Sequence, residues 1–246
     1  MKSPFFLIFF IFLVFDSPLI HAFTPDEVIA KFSVVVSSIT DYQCRIAEWS
    51  VNGRRRETRI INFYFKKPRY MRMDIILGNR LGDTGASSVY RPDGTILGRM
   101  GWMNFSLKVP VNHWSVTTVR GKSFEQSDLR GMQELLMSYR DVSEMSVVEE
   151  GAYIRLLVKH YDTRVSGGLT DESIIFDRDT MLPLQVDGYD GNKQVQHFVF
   201  TRYIVDSGLP LAVFDPGFDP SELSSLGIES IALIPVGEDD LAESRF

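Results

Sequence analysis

Histidine, cysteine and clustered carboxylates are the groups from which most reactive sites are built, and here they are thinly spread. Outside the N-terminal 22 residues the histidines are His113, His160 and His197. None forms a His-x-x-x-His or His-Glu pair of the kind that holds a metal, and no Gly-x-Ser-x-Gly elbow or glycine-rich phosphate loop occurs. One histidine in each of three separate regions reads as structural, so no catalytic residue, metal or cofactor is expected. Asp187, Asp190 and Asn192 make an oxygen-rich run, but the spacing departs from the helix-loop-helix calcium pattern. Gly188 and Gly191 beside them suit two adjoining tight turns. Asp177-Arg178-Asp179 reads as a solvated turn. Cys44, the single cysteine, cannot form an intramolecular disulfide and has no histidine near it in sequence. It reads as a small buried hydrophobe, which leaves the fold resting on its apolar core.

Two basic groups stand out. Arg54-Arg55-Arg56 follows a hairpin glycine, and Lys66-Lys67-Pro68-Arg69 ends the next strand, so the two lie either at one rim of a sheet or at opposite ends of it. Charged strand ends discourage edge-to-edge pairing. The sharper reading is a cationic rim in which Arg54, Arg55, Arg56, Lys67 and Arg69 meet phospholipid headgroups or an acidic partner. A net charge of −6 argues against nucleic acid as that partner.

The elements that must position these residues follow from periodicity. Lys2, the apolar run from Pro4 to Phe15 and a short stretch ending in Ala22 have the pattern of a signal peptide, 1–22. The run is about half the length that spans a bilayer. No cysteine follows the expected cut, so a periplasmic protein without an acyl anchor is expected. Thr24-Pro25-Asp26-Glu27 starts a helix whose apolar stripe is Val28, Phe32, Val35 and Ile39. From Tyr42 the period becomes two: Ile61, Phe63 and Phe65 share one face, as do Met71, Met73 and Ile75, with Arg72 and Asp74 on a wetter side. Ser123 and Gln126 form a capping box for a mid-chain helix over Leu129, Met132, Leu136 and Tyr139. Strands resume from about residue 142 and bring the total to roughly ten. Domain 23–206 is followed by an extension, 207–246, in which prolines exclude a central strand. Within it Asp219-Pro220-Ser221-Glu222 predicts a short helix, residues 228–236 an edge strand and 237–246 a fraying acidic tail. The fold class is α+β, mainly β: a mostly antiparallel sheet on which the N-terminal helix packs its apolar stripe and which the mid-chain helix interrupts.

Met71, Met73, Met100 and Met103 fall in one β-region beside Trp102. Soft and aromatic side chains adapt to irregular apolar surfaces. Phe63, Phe65, Met71, Met73, Ile75, Met100, Trp102 and Met103 are therefore either ordinary core or the lining of an acyl-chain cavity.

The segment Phe65-Lys66-Lys67-Pro68-Arg69-Tyr70-Met71-Arg72-Met73 resembles the KRP-x-x-x-R strand pair of LolA-like periplasmic lipoprotein carriers, over residues 23–205. The resemblance implies an unclosed half-barrel, covered by an N-terminal and a mid-chain helix, whose apolar concave side holds acyl chains in transit between membranes, without cofactor or catalysis. Val89-Tyr90-Arg91-Pro92-Asp93-Gly94 is followed here by Leu97-Gly98-Arg99 where those carriers have Asp-Gly-Lys-x-x-Trp-x-Tyr, which is closer to a branch without assigned function. The expectation is a carrier for lipid or lipoprotein acyl chains. Behind it stands an envelope sensor that binds an acylated ligand and a membrane protein, with 207–246 as docking element, and last an envelope hydrolase.

Overall fold

The computed structural model describes residues 22–111, 113 and 116–243, so the segment read as a signal peptide lies, apart from Ala22, outside the described residues. No helix among the described residues is long and apolar enough to cross a membrane.

Helix α1 (Pro25–Ser38) begins where the sequence places it. Thr24 Oγ1 accepts from the Glu27 amide while the Glu27 carboxylate accepts from the Thr24 amide, and Pro25 supplies a preset φ at the first turn. Eleven antiparallel strands follow: β1 (Asp41–Asn52), β2 (Arg55–Lys66), β3 (Tyr70–Gly78), β4 (Ser87–Tyr90), β5 (Ile96–Arg99), β6 (Leu107–Val109), β7 (Ser143–Glu150), β8 (Tyr153–His160), β9 (Asp171–Asp177), β10 (Pro183–Asp190) and β11 (Lys193–Val205). They form one sheet in the order β6-β5-β4-β3-β2-β1-β11-β10-β9-β8-β7, in which the two edges, β6 and β7, do not meet. This is the unclosed half-barrel that the resemblance implied. It has one strand more than expected, because β4 to β6 are too short for a clear alternation.

The mid-chain helix starts later than its capping box. Ser123 and Gln126 cap only a single 3-10 turn, Phe124–Gln126, and α2 (Leu129–Tyr139) has its own cap in Asp128, which accepts from the Gly131 amide at 2.6 Å. The chain folds back tightly here: a Cβ on Gly131 would lie 2.5 Å from the Glu125 carbonyl oxygen. Asp187-Gly188 is not a turn either. Both lie inside β10, where Gly188 makes room for Leu169, while Asp190-Gly191 does turn the chain into β11.

Alternation gives the sheet two covered faces. On the inner face Phe32 of α1 meets Phe176 at 5.2 Å between ring centroids, and Leu129, Met132 and Leu136 of α2 join the same core as Ile46, Ile61 and Phe63. On the outer face the C-terminal extension packs Leu209, Val213, Phe214, Leu223 and Ile231 onto Tyr64 and Val89. The side carrying Arg72 and Asp74 is therefore not wet. Arg72 is buried, paired with Asp74 at 2.9 Å, and donates to the carbonyls of Val213 and Asp215. Residues 228–236 form no strand but a 3-10 turn, Ile231–Leu233, because their carbonyls point at Arg45 instead of a strand edge. The acidic tail does not fray over Glu238–Glu243, which forms α3: Asp240 reaches the buried Arg45 at 3.2 Å.

Candidate functional site

Four spaces remain along the inner face, three of them chiefly apolar and a fourth, about 210 Å³ and more polar, between Leu135 and Tyr139 of α2 and Lys122, Leu169, Glu172 and Gln196. The largest, about 270 Å³, lies between the end of α1 (Val36, Ile39), the start of α2 (Leu129) and Tyr42 and Phe65 of the sheet, with Lys67 and Arg130 at its edge. The second, about 60 Å³, sits between Ile46, Ile61, Met73 and Ile75 and the segment 116–127. The third, about 100 Å³, runs beneath β5 from Ile75 to Met100 and Met103.

The residues expected to line an acyl cavity are thus divided. Phe63 and Met71 are completely buried in packed core. Phe65 faces the largest space, Met73 and Ile75 the second, and Ile75, Met100 and Met103 the third. Trp102 lines none of them and is 71% exposed, because it sits on the loop after β5 and not on a strand. The basic groups lie at opposite ends of β2, some 11 residues and so about 36 Å apart at strand rise. At one end Lys67 donates to the carbonyl of Ser37 at the close of α1, and Arg69 is held by Asp128, Glu134 and the Glu125 carbonyl. At the other, Arg54, Arg55 and Arg56 border an open groove together with Arg80.

The floor of the second space is charged. Arg59 meets Glu48 at 3.4 Å, Glu57 at 3.3 Å and Asp83 at 3.0 Å, and Glu57 also holds Arg80 at 2.8 Å and the Val119 amide. Burial pushes the Glu48 carboxyl up to about 7, with Arg59 opposing and Glu57 reinforcing the shift. Lys122 lies beside this floor with its ammonium 5.0 Å from the Phe198 ring, and burial pulls its pKa down while Glu172 and Glu48 oppose the change. Burial likewise raises the Cys44 thiol far above its usual range, which keeps it an unreactive neutral group. Sequence reasoning passed over this cluster. The signal was present, since Glu57 and Arg59 are in phase with Ile61, Phe63 and Phe65, and Glu48 with Cys44 and Ile46.

Two histidines make close contacts. Asp187 binds His197 at 2.6 Å and also accepts from Gln185 and Gln194, so its oxygens serve a buried network and not a calcium loop. His160 lies between Ser143 Oγ at 2.9 Å and Glu172 at 2.8 Å, the elements of a nucleophile, base and acid. All three are buried, the Tyr139 ring covers His160 edge-on at 4.5 Å, and none of the spaces above reaches Ser143. The space of about 210 Å³ reaches Glu172 and Tyr139 but neither Ser143 nor His160, so the nucleophile and base stay covered, and the trio satisfies its own polar atoms. Among the described residues no group of three or more His, Cys, Asp or Glu is placed to hold a metal ion.

No family model matches this chain, and no curated protein matches it. Solved structures do. An uncharacterized conserved protein from Thermus thermophilus is similar at 11% identity, covering 77% of this chain and 91% of its own, with a TM-score of 0.48. A DUF1329 family protein from Desulfovibrio piger is similar at 14% identity, covering 78% and 96%, with a TM-score of 0.42. A LolA superfamily protein from Nitrosomonas europaea is similar at 8% identity, covering 79% and 98%, with a TM-score of 0.40. At these values the likeness bears on neither cargo nor partner.

Proposed function

We propose that this chain binds and carries an apolar, acylated molecule of the cell envelope, a lipid or the acyl chains of a lipoprotein, and that it is not an enzyme. The observation that carries this reading is the apolar space of about 270 Å³ between α1, α2 and the sheet. An engineered apolar cavity of about 150 Å³ is enough to bind benzene, and ligand sites begin near 300 Å³. The space therefore suits a segment of one acyl chain. Each methylene buried there contributes about 0.8 kcal/mol, so cargo of ordinary chain length gains most if α1 and α2 part to join this space to the two beyond it. The Ser143–His160–Glu172 trio gives the hydrolase reading its best geometry, but its burial favours a structural role.

Lipid extracted from the purified protein and identified by mass spectrometry tests the carrier directly, and Val36→Trp tests the site. Val36 is only partly buried at the edge of the space, so the indole should fill cargo volume, abolish binding of a fluorescent fatty acid and leave the melting temperature unchanged. Unaltered binding in Val36→Trp, or labelling of Ser143 by a fluorophosphonate probe, would overturn the reading.

A further inference from the structure

The end of the sheet that carries Arg54, Arg55 and Arg56 also carries an exposed apolar tip. Antiparallel pairing brings the end of β1, the start of β2, the end of β3, the start of β4, the end of β5 and the start of β6 to this one rim. Two loops project from it, β3–β4 and β5–β6, and they are tied together: the Gly101 amide donates to the Gly82 carbonyl at 2.9 Å, and a Cβ on Gly82 would lie 3.1 Å from the Trp102 indole nitrogen. The two loops expose Leu81, 89%, Trp102, 71%, and Phe105, 57%, and Leu107, 50% exposed, opens β6 directly after them. Four large apolar side chains at one rim, left in water, form the kind of patch that marks an interaction site.

Arginine stands directly beside them. Arg80 precedes Leu81 and shares an open groove of about 750 Å³ with Arg54, Arg55 and Arg56. Glu57 neutralises Arg80. The side chains of Arg54, Arg55 and Arg56 are exposed and make no hydrogen bond or ion pair with any described residue. A chain of net charge −6 thus concentrates uncompensated positive charge next to its apolar tip. Aromatic and aliphatic side chains flanked by arginine suit the boundary between headgroups and acyl chains, where the rings sit at headgroup depth and each cation attracts anionic lipid.

We infer that this rim docks on an anionic phospholipid surface, with Leu81, Trp102 and Phe105 entering the interface and Arg54, Arg55 and Arg56 contacting lipid phosphates. Docking stands whether or not the interior binds cargo. It also gives the interior an orientation, because Thr117 and Thr118 line both the arginine groove and the second internal space, so the docked end is the end nearest a route inward.

Flotation of the full chain with phosphatidylcholine vesicles, with and without phosphatidylglycerol, tests the inference at low and high salt. Binding is expected only with phosphatidylglycerol and should be lost in about 1 M salt, where the screening length falls to about 3 Å. The triple change Arg54→Gln, Arg55→Gln, Arg56→Gln should weaken partitioning about a hundredfold. The double change Leu81→Ser, Trp102→Ser should weaken it severalfold at an unchanged melting temperature. Vesicle binding should shift the tryptophan emission to the blue, and Trp102→Phe should remove that shift while binding persists. Equal binding to neutral vesicles, salt-insensitive binding, undiminished binding in both multiple variants, or capture of an acidic peptide in place of vesicles would overturn it.

Discussion

Glu48 is the residue at which burial most clearly changes chemistry. Its carboxyl is raised from 4.5 to about 7, mainly by burial, with Arg59 pulling the other way. Between those values the folded chain holds a proton that the unfolded chain has released. Linkage then makes the contribution of Glu48 to stability full below about pH 4.5 and lost as pH rises through about 7, with a slope of at most about 1.4 kcal/mol per pH unit. Glu48→Gln keeps the shape and removes the titration, and Arg59 retains Glu57 and Asp83. Urea unfolding from pH 4.5 to 7.5 should show the parent losing stability relative to Glu48→Gln, and parallel curves would refute the assignment. This residue was open to reading before the structure. Strand phase puts Glu48, Glu57 and Arg59 on the apolar side, and a charge in phase with a core stripe is either paired or functional. Their convergence could not be read, because Asp83 and Lys122 arrive from loops whose paths no periodicity encodes.

At the scale of elements, α1 and the long strands were legible, because capping chemistry and alternation are local. The C-terminal extension was not. Its prolines correctly exclude a central strand, but nothing local shows that residues 207–243 lie flat on the outer face of the sheet, held by charges from β1 and β3. Arg45 illustrates the arrangement. It donates to Asn62, to Asp240 and to the carbonyls of Ile231, Ile234 and Pro235, all within 3.2 Å. Removing one partner of a buried ion pair costs about 3–5 kcal/mol, because the other is left uncompensated. Arg45→Leu should lower stability by about that amount in urea unfolding. It should also make the extension a target of limited proteolysis, with cuts after about Ser207 that the parent resists. A variant that loses stability and still protects the extension would show that the segment is held by its apolar contacts alone.

For the whole molecule, the order of the strands sets where the fold is strong. β1, β2 and β11 occupy the middle of the sheet, and most of β1 and β2 and the stretch 195–198 of β11 are buried, since helices cover one face and the extension covers part of the other. β5 and β6 lie at one edge with four and three residues, and β6 is largely exposed. Local opening follows that difference, since a strand with few buried contacts and an unpaired edge opens at little cost, whereas a central strand opens only on global unfolding. Native-state hydrogen exchange should therefore show the slowest amides in β1, β2 and β11, at rates set by global stability, and the fastest among strand amides in β6. The same gradient separates the two activities proposed for the chain. Bound cargo between α1, α2 and the sheet should slow exchange in α1 and at the start of α2 while leaving β6 unchanged. Anionic vesicles should slow exchange in the β3–β4 and β5–β6 loops and leave α1 unchanged. Protection spread evenly over the sheet by either ligand would mean that carrying and docking are not separate sites.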